Sequence, residues 1–319
     1  MGNVENKPND NKMSRKIKKY GWNPDIPDIR DIVQISISYS KTKKNIVDLR
    51  DTNFLPPVLN QGNMGSCVTH AVLAAFMFIW NKSKKPQFVP SRQFIYYNQR
   101  ICSNTIEFDS GSSIRDALKI IKKFGVCKEE CYPYDIEYFT DRPNINAYKN
   151  ASTNMIDFKY KRIDFSIENI MNALNYEIPV IFGYTVFESF DNANVARTGL
   201  VPVPKITSEK IIGSCCSVIV GYDNTKKYFL CMGSWGTSFG QGGYFWVPYA
   251  FVNAKNCSDF WILYHDFKAS EPIQSQPIQP IQPIQSQPTQ LVQDKDSNYN
   301  DYKYKEEIYN SDLEDECSM

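Results

Sequence analysis

One cysteine stands where a thiol can do chemistry. Cys67 follows a polar run with two glycines, Asn60-Gln61-Gly62-Asn63-Met64-Gly65-Ser66, and opens an apolar stretch. Behind it Val68, Ala71, Val72, Ala75 and Phe76 recur at the i, i+3, i+4 spacing of one helix face. A loop feeding a buried helix places Cys67 in the first turn, with Ser66 as its N-cap. Unpaired N–H groups and the helix dipole favour an anion there, so the thiol gains nucleophilicity. The competing reading is a small apolar core residue, as most free cysteines are. An acid–base partner would have to come from the chain's two histidines. His70 lies one turn further along the same helix face, away from the helix N-terminus, and reads as a buried, hydrogen-bonded residue. His265 follows the final apolar run and reads as a residue of the domain edge. Cys127 and Cys131 form a C-x-x-x-C with no second pair and no histidine at ligand spacing, so no metal site is expected.

The elements that must position Cys67 are legible around it. Its helix is expected to reach about Lys82. Ser91–Arg100 has a serine cap and helical aromatic spacing, and Ser113–Phe124 repeats apolar positions until Gly125 ends it. Ser166–Tyr176 reads as the last helix. Ile46–Arg50 is a short entering strand and Ile178–Val186 an apolar one. Val218–Tyr222, Tyr228–Met232, Gly243–Val247 and Phe260–Tyr264 are short β-rich runs separated by turns. Helices first and strands second argue for an α+β protein of two lobes, not a doubly wound sheet.

Composition sets the limits. The 319 residues, 42% hydrophobic, suffice for one or two cored domains. A formal net charge of +1 gives no reason to expect nucleic acid or an anionic membrane as partner. Nine cysteines, no secretory apolar region and no membrane-spanning run imply reduced thiols in an intracellular, cytoplasmic setting. Residues 1–45 form an N-terminal extension. Within it Tyr20–Asp31 (YGWNPDIPDIRD), with two X-Pro steps, reads as an extended strap on a surface, anchored by Trp22. Residues 46–267 form the domain. Residues 268–293 are a Pro/Gln-rich linker with polyproline character, and 294–319 an acidic, tyrosine-rich tail expected to be disordered, a candidate docking peptide for some partner.

These segments together resemble the papain-like cysteine peptidases. Asn60-Gln61-Gly62 followed by Gly65-Ser66-Cys67 opening a helix resembles that family's active-site loop. Ser110–Ser113 with Tyr132-Pro133-Tyr134-Asp135 resembles the left-lobe stretch bordering its substrate cleft. Val218-Ile219-Val220-Gly221-Tyr222 resembles the strand after its histidine, and Ser234-Trp235-Gly236 with Gly242-Gly243-Tyr244 the signature after its asparagine. The strap and short N-terminus resemble a microbial and giant-virus branch, so a virion location enters if the source is viral. The resemblance implies a two-lobe fold, a helical left lobe facing a β-rich right lobe. It implies Cys67 as nucleophile, Gln61 as oxyanion donor, and Gly65, Ser66, Gly111, Ser112 and Trp235 along a cleft that takes a peptide or protein, with no cofactor. Counted by motif, the family's histidine falls on Cys215 and its asparagine on Gly233. A thiol is a poor base at neutral pH and glycine orients nothing. The resulting expectation is a peptidase homologue that is inactive or severely impaired and binds peptides. The alternatives are a thiol-dependent endopeptidase working through Cys67, and an assembly protein using the fold and tail.

Overall fold

A computed structural model describes residues 20–28, 31, 33–34, 44–253 and 255–265. The linker and tail, and most of the segment before residue 44, lie outside the described residues. β1 (Val33–Gln34) and β2 (Ile46–Asp48) are followed by a 3₁₀ turn, Leu49–Thr52. Then come α1 (Cys67–Lys82), α2 (Arg92–Cys102), α3 (Ile114–Phe124) and α4 (Ile145–Thr153). β3 (Lys159–Ile163) and α5 (Ile167–Asn175) lead to β4 (Val180–Phe187) and α6 (Ala193–Thr198). β5 (Ile211–Asp223), β6 (Tyr228–Met232), β7 (Tyr244–Pro248) and β8 (Cys257–Tyr264) complete the order. The expected α+β class holds: helices gather before residue 153, and the strands of an eight-stranded sheet come mostly after it.

The sheet runs β1-β3-β8-β4-β5-β6-β7, with β2 added to β5. All pairings but β1–β3 are antiparallel. α1 is apolar on every side and buried from Cys67 to Trp80, as such a helix must be. It packs on α2 and α3 on one side and on β5 on the other, so it joins the two lobes. α2 and α3 begin as the sequence implies, Ser91 Oγ accepting from Phe94 N and Ser113 Oγ from Asp116 N.

Three readings need correction. Ser66 occupies the N-cap position but makes no side-chain cap bond; its Oγ lies 2.6 Å from the Tyr134 hydroxyl and 3.4 Å from His70 Nδ1. Those buried partners outcompete the backbone for it. Ser166–Tyr176 is not the last helix, because α6 follows it, capped by Asn192 and ended by the left-handed Gly199 (φ 71°). The 218–222 strand runs from 211 to 223, since Ile211–Ser217 pairs along β4 before the run turns apolar.

Candidate functional site

Cys67 sits at the α1 N-terminus and Cys215 on β5, and their side chains hydrogen-bond to one another. The two residues placed together by motif counting are therefore together in space. Both thiols are free and fully buried. Burial pushes the Cys67 thiol up. The Cys215 thiol and the backbones of Cys216, Gly21 and Val68 outweigh it, so Cys67 ends below the usual thiol range. Burial, and then Cys67 itself, push Cys215 the other way. One proton thus settles on Cys215, whose S–H also reaches the Cys216 carbonyl at 3.7 Å. The arrangement is a thiol pair at a helix N-terminus, without an imidazolium.

Neither histidine approaches. His70 Nδ1 donates to Ser66 O at 2.9 Å, and its ring meets Tyr134 edge-on at 5.6 Å. Burial, then Arg92, lower it to about 3, so it is a neutral core residue. His265 is at the last strand's end, its Nδ1 against the Asp157 carbonyl.

Gln61 is buried between the lobes, its amide donating to Met64 O at 2.8 Å and its carbonyl accepting from Ser234 Oγ at 2.5 Å. With Gln61 N donating to Ser234 O at 2.8 Å, it ties the loop before α1 to the turn after β6. Gly233 neighbours the Trp235 ring: a Cβ there would lie 2.9 Å from Trp235 Cε3. Trp235 cannot yield easily, being packed against Phe239 and Phe245 at 4.6 and 5.5 Å between centroids. A cavity of about 550 Å³ up to its open mouth lies beside Gly233, lined also by His70, Ala74, Phe88 and Met232.

The strap lies across this site. Trp22 forms a parallel bridge with Ser112: Ser112 N donates to Gly21 O and Asn23 N to Ser112 O, both at 2.9 Å. On the other wall Trp22 N donates to Ser214 O at 3.2 Å and Ser214 Oγ to Trp22 O at 2.6 Å. Both walls are shaped for it. A Cβ on Gly21 would stand 1.8 Å from Gly65 O, and one on Gly183 1.9 Å from the Trp22 ring. Of the expected cleft residues, Gly65, Gly111 and Ser112 touch the strap. Ser66 turns to Tyr134, and Trp235 packs beneath Gly233.

The sequence reading missed how the strap is held. Asp25 is buried, with its N–H on Asp259 Oδ2 (2.7 Å) and its carboxylate taking Arg115 N–H (3.1 Å) and Trp261 Nε1 (2.8 Å). Asp31 pairs with Arg115 at 2.6 Å and Arg162 at 3.4 Å, and Arg162 with Asp259 at 2.6 Å. A signal existed in the acidic Asp25, Asp28 and Asp31 of the strap, but their partners are distant in sequence.

The profile of the Papain family cysteine protease matches residues 44–259. An uncharacterized peptidase C1-like protein of Acanthamoeba polyphaga mimivirus is 38% identical, over 77% of this chain and 86% of its own. Cysteine proteinase 3 of Dictyostelium discoideum is 27% identical over 62% of this chain and 57% of its own. Among solved structures, xylellain, a cysteine protease from Xylella fastidiosa, superposes with a TM-score of 0.68 at 34% identity. That match covers 78% of this chain and 97% of xylellain. Procathepsin L 3 of Tenebrio molitor shares the fold, with a TM-score of 0.53 at 19% identity over 68% of each chain.

Proposed function

The chain belongs to the papain family of cysteine proteases, and from that premise we propose that it is a peptide-binding member whose hydrolytic step is severely impaired. The observation that carries this reading is the thiol–thiol contact of Cys67 and Cys215. Peptide hydrolysis by a cysteine nucleophile needs a base to take its proton and an acid to protonate the leaving amine. Cys215 can share a proton with Cys67. It cannot become the cation that stabilises a thiolate beside it, and its raised pKa makes it a reluctant acid. Gly233 supplies no group to orient a base, and Trp235 crowds its place. Gln61, in the position of the oxyanion donor, is engaged with Met64 and Ser234.

Peptide binding is the function that remains. The strap makes main-chain contacts to Ser112 and Ser214 that any extended peptide can make, side chains apart. In this reading the ligand is an extended peptide or protein segment that displaces residues 20–23. The alternative of a working endopeptidase is favoured by one observation, the lowered Cys67 thiol. A single assay separates the two. Loss of one triad member in serine proteases leaves roughly 10³–10⁴-fold catalysis over water. Turnover is therefore expected at least about 10³-fold below an intact family member, whether or not the strap is released. Cys215→His is expected to recover part of it. Gly233→Asn on top recovers orientation at a cost of about 1–3 kcal/mol in stability, because Trp235 must shift. Cleavage by the unmodified protein at about 1–10³ s⁻¹, abolished by Cys67→Ala, would overturn the proposal.

A further inference from the structure

Where the family's chemistry needs an acid–base pair, this chain places two cysteines in contact. We propose that Cys67 and Cys215 form a redox-active dithiol, which low-molecular-weight disulfides such as glutathione disulfide oxidise to a disulfide joining the two lobes.

The pair has the division of labour that exchange requires. Attack is made by a thiolate, and the rate rises with the thiolate fraction of the attacking sulfur. Cys67 is the attacker, at a helix N-terminus with the backbones of Cys216, Gly21 and Val68 and a neighbouring S–H directed to its sulfur. Cys215 holds the proton and waits as the resolving thiol. In the first step Cys67 S⁻ attacks one sulfur of glutathione disulfide; a Cys67–glutathione bond forms, the S–S bond breaks, and glutathione thiolate leaves. In the second, Cys215 gives its proton to that thiolate and attacks the Cys67 sulfur, expelling a second glutathione that takes a proton from water. Two protein thiols are oxidised and one disulfide is reduced to two glutathione thiols. The new bond links residues of α1 and β5 that already touch across the lobes, and it closes a long chain loop, the case in which a cross-link restricts the unfolded state most.

The strap gates this chemistry. Gly21 hydrogen-bonds Cys67 through its backbone, and Tyr20 packs on Gly213 near Cys215. Both sulfurs are fully buried while it is docked. Cys127 and Cys131 form an internal contrast: they too interact, yet burial and then Cys131 push Cys127 up to about 12, so that thiol carries almost no thiolate at neutral pH. The inference does not rest on lost hydrolysis, since thiol state and peptide cleavage are read separately.

The test uses the full chain, reduced, freed of reductant and held with glutathione disulfide at a pH of about 7.5 to equilibrium. It is then quenched with N-ethylmaleimide and mapped by mass spectrometry without reduction. The expected product is a Cys67–Cys215 linked peptide, with two glutathiones released for each such linkage formed. In Cys215→Ser the mixed disulfide should accumulate on Cys67, and in Cys67→Ser Cys215 should stay reduced. Trp22→Ala should speed the linkage several-fold by loosening the strap. The proposal is overturned if both residues are recovered as maleimide adducts at equilibrium. It is overturned equally if glutathione settles on Cys215 while Cys67 stays reduced. The unmutated protein carries the main readout, so the test remains decisive even where a variant fails to fold.

Discussion

At the residue scale, His70 shows how a titratable group one helical turn from Cys67 can belong wholly to the core. Its Nδ1–H is spent on Ser66 O, and burial with Arg92 nearby holds it at about 3, well under the ordinary histidine value. The folded protein therefore binds fewer protons than the unfolded chain between about 6.5 and about 3. Stability is full above that window and falls as the pH drops into it, by up to about 1.4 kcal/mol per pH unit from this one group. Thermal unfolding followed from neutral pH down to about pH 4 should show this decline, and His70→Gln should flatten it. An unchanged slope in the variant would mean that His70 is not the group responsible. The sequence made this residue readable, because i+3 from Cys67 on an apolar helix points inward. It did not make Ser66 readable: a serine before a helix signals a cap, and only the fold reveals that Tyr134 and His70 are nearer partners.

At the scale of elements, legibility followed caps and apolar period. α2 and α3 carry both and α1 the period, and their expected bounds fall within about two residues of the observed ones. α4 was missed because its fully buried residues are only Ala147 and Ala151, too slight for an amphipathic pattern, although Pro143-Asn144 marks its start. β3 was missed because Lys159, Lys161 and Arg162 mask its alternation. The strap was legible from its prolines, and its anchor from Trp22, but the cradle was not. Gly183 in the middle of β4 looks like a weak point in a strand until the Trp22 ring is seen against it. A side chain there must collide with the indole while leaving the β4–β5 ladder hydrogen bonds available. Gly183→Val is therefore expected to release the strap. Limited proteolysis within residues 20–28 should become several-fold faster, Cys67 should become accessible to alkylation, and the rest of the domain should stay resistant. Unchanged protection of residues 20–28 in the folded variant would refute the fit.

At the scale of the whole molecule, the strap is fastened by a charge network that draws on both lobes. Asp25 and Asp31 come from the N-terminal segment, Arg115 from α3, Arg162 from β3, and Asp259 with Trp261 from β8. With Asp28 also acting on Arg115, four carboxylates face two guanidiniums, so the cluster holds more negative charge than it can pair. The excess falls on Asp25, whose side chain has backbone and indole N–H donors but no direct cation. Burial first, and then Asp259, raise it to about 6; burial raises Asp259 as well. A carboxyl whose docked pKa lies above its free value favours docking when protonated. Its contribution is full below about 3.8 and is lost as the pH rises through about 6. The strap should therefore grip more firmly in mild acid and loosen towards neutrality, while the domain beneath it, through His70, weakens in the same acid range. Two readouts separate these opposed trends. Between neutral pH and about pH 5.5, exchange protection of backbone amides in residues 21–25 should rise with falling pH, while the unfolding midpoint of the domain falls. Asp25→Asn keeps the shape and the acceptor for one N–H but removes the titration, so strap protection should become flat with pH. Protection that still climbs in acid in that variant would assign the latch to Asp259 instead.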